Sequence, residues 1–172
     1  PTATPFPPTA TPVPPTATAA ATTLSTSELV EMARVSVVLI VAELAGGKFG
    51  SGTGIIYSDD GLALTNHHVV AGATMIWVTV TDADGTVREF PADVLGTNAD
   101  KDIALVQFGD GCNYVPTPLG SVENIDLGDE VIALGYPSVH QGPRNYNSTF
   151  GRVNQIWEDD GRTYIQHQAP IN

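Results

Sequence analysis

Apolar and polar residues alternate in short runs along most of this chain. From Ser36 to Phe108 the runs are SVVLIVAEL (36–44), SGTGIIYS (51–58), LALT (62–65), TMIWVTVT (74–81), TVREFPADVLG (86–96) and DIALVQF (102–108). Each is rich in β-branched residues and bounded by Gly, Asp or Asn, so each predicts a strand. DDG at 59–61 and DADG at 82–85 read as hairpin turns. The gaps are too short for the crossover helices of a parallel sheet, so the strands pair antiparallel, and closing them into a barrel removes the exposed edges. Ahead of them, Ser25 and Glu28 have capping-box spacing, which predicts a short helix through about Ala33.

GDGCNYVPTPLGS (109–121) then reads as a connector. Beyond it, EVIALGYP (130–137), STFGRVNQIW (148–157) and RTYIQHQ (162–168) predict three more strands. They are divided by a Gly/Pro/Asn-rich stretch at 137–147 and by the turn EDDG at 158–161. A second barrel has begun, and about half of it is written by Asn172. The fold class is therefore all-β. We divide the chain into residues 1–24 as a linker or stalk, 25–110 as an N-terminal barrel, and 111–172 as the connector with the first half of a second barrel.

Composition sharpens this picture at the N-terminus. All residues from Pro1 to Thr23 except Phe6 and Val13 are Pro, Thr or Ala, and no charge precedes Glu28. Proline fixes φ and removes donors, so this tract reads as an extended spacer of the kind that lifts exported domains off a surface. An extracytoplasmic setting (secreted, cell-surface or periplasmic) is the expectation, although an interdomain linker has the same texture. The chain opens without Met, so we expect the native N-terminus upstream of Pro1; the chain shows no signal peptide and no apolar run of membrane-spanning length, and either could lie upstream. Nineteen acidic against seven basic residues give a net charge of −12, which argues against nucleic-acid and anionic-membrane partners. The single Cys112 excludes an internal disulfide and a Cys-rich zinc site. His67, His68, His140 and His167 show no His-x-x-x-His spacing, so no metal or other cofactor is implied.

LTNHHVVAG (64–72) carries the candidate chemistry. Neighbouring residues point to opposite faces of a strand and lie about 100° apart on a helix, so His67 and His68 cannot both aim at one centre. An imidazole titrates near neutral pH and can act as a general base, provided a carboxylate fixes its tautomer. Asp102, at the start of the apolar run Ile103–Val106, suits that role for His68 better than Asp100 does. On spacing alone, a His after one strand and an Asp before another more often serve as turn or cap residues.

SGTGIIYSDDGLALTNHHVV, DIALVQF, GDEVIALGYP and YIQHQAPIN occur in an order that resembles the trypsin-like serine peptidases, and among them the HtrA/Deg branch. The resemblance runs from Leu29 to Asn172. It implies two six-stranded antiparallel barrels of the chymotrypsin type, the second truncated here. In that family a strand ends in Thr, two residues intervene, and the catalytic His is followed by Val-Val. The pattern falls on Thr65 and His68, with Asp102 as the partner that opens the D-I-A-L strand. His67 takes a position where the family commonly has Asn or Ala, and it reads as a bystander. Serine endopeptidase activity on polypeptides is what the resemblance implies. A homotrimer and a C-terminal peptide-binding domain are also family features.

One part of the pattern is absent. The family places Gly-Asn-Ser-Gly-Gly, with the nucleophile and the oxyanion amides, shortly after a segment like QAPIN, and this chain ends at Asn172. Ser51 in GSGTG and Ser148 at a strand start do not substitute for it. GSGTG is also a poor phosphate loop, since it opens no helix and lacks the Lys-Ser/Thr. Loss of the nucleophile costs about 10⁶-fold in turnover, so these residues alone should be inert. The rival readings are an inactive barrel pair kept as a binding module and a purely structural β-domain. Presence of both His68 and Asp102 argues against the first, because a binding module needs neither.

Overall fold

The computed structural model describes residues 24–109, 114–137 and 145–171. The Pro/Thr/Ala tract 1–23, Cys112, His140 and Asn172 lie outside them. Helix α1 spans Thr26–Arg34 and starts with the expected reciprocal cap. The Glu28 N–H donates to Ser25 Oγ at 3.3 Å, and the Ser25 N–H donates to Glu28 Oε2 at 2.8 Å. The next six strands are β1 (Val37–Leu44), β2 (Lys48–Ile56), β3 (Leu62–Thr65), β4 (Ala73–Thr81), β5 (Val87–Asn98) and β6 (Ile103–Phe108). All pair antiparallel and close in the order β1-β2-β3-β6-β5-β4. The barrel predicted from the alternating pattern is thus present. The pattern placed the start of β2 at Ser51, but pairing with β1 extends it back to Lys48.

Inward-facing residues fill the barrel: Val38, Ile40, Ile56, Val78, Val106 and Phe108 are almost fully buried. Burying each such side chain contributes about 1.5–3 kcal/mol before entropy is counted. Gly61 turns β2 into β3 at φ 94°, where L side chains are strained, and any Cβ there would run into the Phe108 carbonyl.

A further sheet has the order β7-β8-β9, with β7 Glu130–Gly135, β8 Asn147–Asp159 and β9 Arg162–His167. It packs on the outer face of β1. There Val37, Leu39 and Val41 are buried with Tyr136, against Leu134 and Tyr146. This explains why β1 reads as an unbroken apolar run: one face lines the barrel and the other lies under the second sheet. The joint is pinned by Thr53, whose Oγ1 accepts from the Tyr136 N–H at 2.8 Å. Gly135 passes so close that an added Cβ would lie 2.6 Å from that hydroxyl. Burial pushes the Tyr146 phenol up to about 12, so the joint holds it as a neutral group.

Candidate active site

The site forms where β3 ends and β6 begins. These strands are antiparallel partners, with Thr65 opposite Ala104 and Leu64 opposite Leu105. The residues just after β3 therefore meet those just before β6, although more than thirty positions separate them in sequence. After Thr65 the chain makes one helical turn, α2 (His67–Val70), with Asn66 as its N-cap. Before β6 it passes through Asp102 at φ 51°, a left-handed conformation that Asp and Asn tolerate better than most side chains.

His68 and Asp102 meet directly. His68 Nδ1 lies 2.7 Å from Asp102 Oδ2, and the His68 backbone N–H donates to Oδ1 at 2.9 Å. Asn66 Nδ2 also donates to Oδ2 at 3.1 Å, and to the Asp102 carbonyl at 3.2 Å. The backbone N–H of His68, then its ring, then the Asn66 amide hold the Asp102 carboxyl below the usual carboxylate range. An ionised carboxylate on Nδ1 favours the tautomer with hydrogen there, which leaves Nε2 as a proton acceptor facing away. The His68 side chain is 71% exposed and that of Asp102 44%. In so open a setting the contact adds little stability, and its effect is to orient the ring.

Thr65 anchors this corner to the joint, since its hydroxyl donates to the Thr53 carbonyl at 2.8 Å. Thr53 of β2 thereby touches both the site and the second sheet.

Residues 52–172 match the family described as trypsin-like peptidase domain. The chain belongs to that family. Relatives of this trypsin-like peptidase include the "Probable periplasmic serine endoprotease DegP-like" of Pseudomonas putida, 41% identical over 123 residues. That alignment covers 70% of this chain and 24% of the relative. "Magnetosome formation protease MamE" of Paramagnetospirillum magneticum is 37% identical over 86 residues, covering 50% of this chain and 12% of the relative. Among solved structures, the HtrA-type protease AlgW with a tripeptide superposes with a TM-score of 0.74 at 28% identity, covering 87% of this chain and 48% of that one. These matches place the peptidase in the HtrA branch and its fold in the chymotrypsin class. The chain spans only a small part of the curated relatives it matches.

Of the two adjacent histidines in this trypsin-like peptidase, only His68 reaches the carboxylate. His67 Nδ1 is buried without a hydrogen-bond partner, and its backbone carbonyl closes the helical turn by accepting from the Ala71 N–H. Asp100 takes no part in the pair, and its carbonyl accepts from Arg162 Nη1 at 3.3 Å. His167 ends β9 opposite Val153, with Nδ1 buried and unpartnered. Ser51 lies in β2 opposite Val41 and Ser148 in β8 opposite Leu134. Among the described residues, neither serine hydrogen-bonds to His68, and no group of three or more His, Cys, Asp or Glu is placed to hold a metal ion. Asn66 was not among the candidates that the sequence pattern picks out. Its one signal was its residue type directly after a strand end, where Asn is common in turns and caps.

Proposed function

We propose that this chain is the His- and Asp-bearing part of an HtrA-branch serine endopeptidase that cleaves polypeptides outside the cytoplasm. The observation that carries the reading is the 2.7 Å contact between His68 Nδ1 and Asp102 Oδ2 in a trypsin-like peptidase, where β3 ends and β6 begins. In this reading His68 Nε2 takes the proton from a serine hydroxyl supplied by residues beyond Asn172. That oxygen attacks the peptide carbonyl, and His68 returns the proton to the leaving amine to give an acyl-enzyme. Water then enters by the same route and releases the acid. Asp102 keeps the ring in the required tautomer and stabilises the imidazolium. The periplasmic name of the Pseudomonas relative supports the location. The tract 1–24 would then space the catalytic unit from its point of attachment. No helix among the described residues is long and apolar enough to cross a membrane.

The test is active-site labelling of the full-length protein with a fluorophosphonate. We expect covalent labelling of one serine downstream of Asn172, reduced by about 10⁴- to 10⁶-fold in rate in His68→Ala. An unlabelled protein, or another residue at the nucleophile position, would replace the peptidase reading with a binding module.

A further inference from the structure

We infer that Asn66 is a positioning residue for the base pair, acting on His68 through the Asp102 carboxylate and not on substrate. The inference rests on the reading of His68 and Asp102 as that pair. Asn66 occupies the N-cap of α2 with extended backbone, φ −78° and ψ 144°, yet its side chain makes no capping bond to the helical turn. An N-cap Asn ordinarily uses its side-chain oxygen to accept from the second or third helical N–H. Here the amide nitrogen points across to the start of β6 and donates twice to one residue, Asp102.

Each of those bonds has a distinct effect. Asp102 sits at φ 51°, a sparsely populated conformation that lasts only when its surroundings fix it. Its N–H donates to the Ala99 carbonyl at 3.2 Å, and its own carbonyl accepts from Asn66, so both ends of the strained residue are tied. At the carboxylate, Oδ1 takes the His68 N–H while Oδ2 is shared by the His68 ring and the Asn66 amide. Three donors leave the carboxylate one orientation. The His68 side chain is 71% exposed and that of Asp102 44%, so packing constrains the pair weakly and these hydrogen bonds carry much of its orientation. The other charged or titratable groups close by in the chain are His67 on the helical turn and Asp100 and Lys101 on the turn before β6. Arg162 reaches that turn from β9.

Two variants of the full-length protein separate positioning from capping. Asp ranks with Asn as an N-cap, so if Asn66 only starts the helix, Asn66→Asp will behave as wild type and Asn66→Ala will be the weaker variant. If Asn66 positions Asp102, the order inverts, since Asn66→Asp removes the donor and sets a second carboxylate against the first. We expect Asn66→Ala to lower the fluorophosphonate labelling rate and kcat by about 10- to 100-fold with KM unchanged. Asn66→Asp should fall at least as far, with the acid limb of its pH–rate profile moved to higher pH, because the added negative charge favours imidazolium. Both should unfold within a few degrees of wild type. Wild-type behaviour of Asn66→Asp overturns the inference. A readout that needs no nucleophile is the low-field proton NMR signal of His68 Nδ1–H, which should shift or broaden in Asn66→Ala. Should the wild-type protein resist labelling, the proposed function fails, and an unchanged His68 signal would separately overturn the role of Asn66.

Discussion

Asp102 is held by contacts that exist only in the folded chain, and acid should reveal this. Its carboxyl sits below the usual range because the His68 N–H, the His68 ring and the Asn66 amide favour its charged form. For a depressed carboxyl, the linked stability is present above the unfolded value near pH 4 and drains away as pH falls through the folded value. Denaturant titrations between pH 5 and pH 2 should therefore lose less stability in Asp102→Asn than in wild type. Equal pH slopes would show that the carboxylate gains nothing from its donors. On the proposed function, the same substitution in the full-length protein should cut turnover by about 10⁴-fold at neutral pH, since an amide cannot hold the tautomer that leaves Nε2 free. The His68–Asp102 pairing was legible in the amino-acid sequence because the family pattern fixes both residues. The Asn66 contact was not legible, since hydrophobic periodicity says nothing about where a turn side chain points.

Strands carried the clearest signal, because alternation with period two and Gly/Asp punctuation act locally. The helical turn α2 carried almost none: His-His-Val-Val is too short for a period and is built from poor helix formers. It exists because β3 ends there and the His68 N–H finds the carboxylate that precedes β6. Gly135 tests the element scale directly. A methyl group at this position would meet Thr53 Oγ1, which holds the Tyr136 N–H. Gly135→Ala should therefore force β7 off β2 and destabilise by about 1–3 kcal/mol, read as a lower midpoint in denaturant. An unchanged midpoint would mean that the joint is slack. The strand pattern placed β7 correctly but not this close approach, which depends on two segments more than eighty positions apart.

For the molecule as a whole, the closed first barrel and the open second sheet predict different behaviour. In the second sheet β7 and β9 are outer strands, and Phe150, Trp157, Tyr164 and Ile171 are exposed by a third or more. Unpaired edges beside apolar surface favour association. We expect the 172-residue polypeptide expressed alone to self-associate or to melt at low temperature. A monomeric sedimentation profile with a cooperative, high-temperature transition would overturn this. The all-β class and the three strands of the second sheet were both visible in the patterning, whereas the docking of that sheet on the barrel was not.

That docking has a consequence for ancestry. β1 belongs to the closed barrel by hydrogen bonding, yet Val37, Leu39 and Val41 show their other side to Tyr136 and Leu134. A gene cut after Phe108 would encode a complete barrel with a greasy stripe along its outer wall. The two halves cannot be traded like independent modules, and a lineage that exchanged the second would have to rewrite alternate letters of β1 in the first.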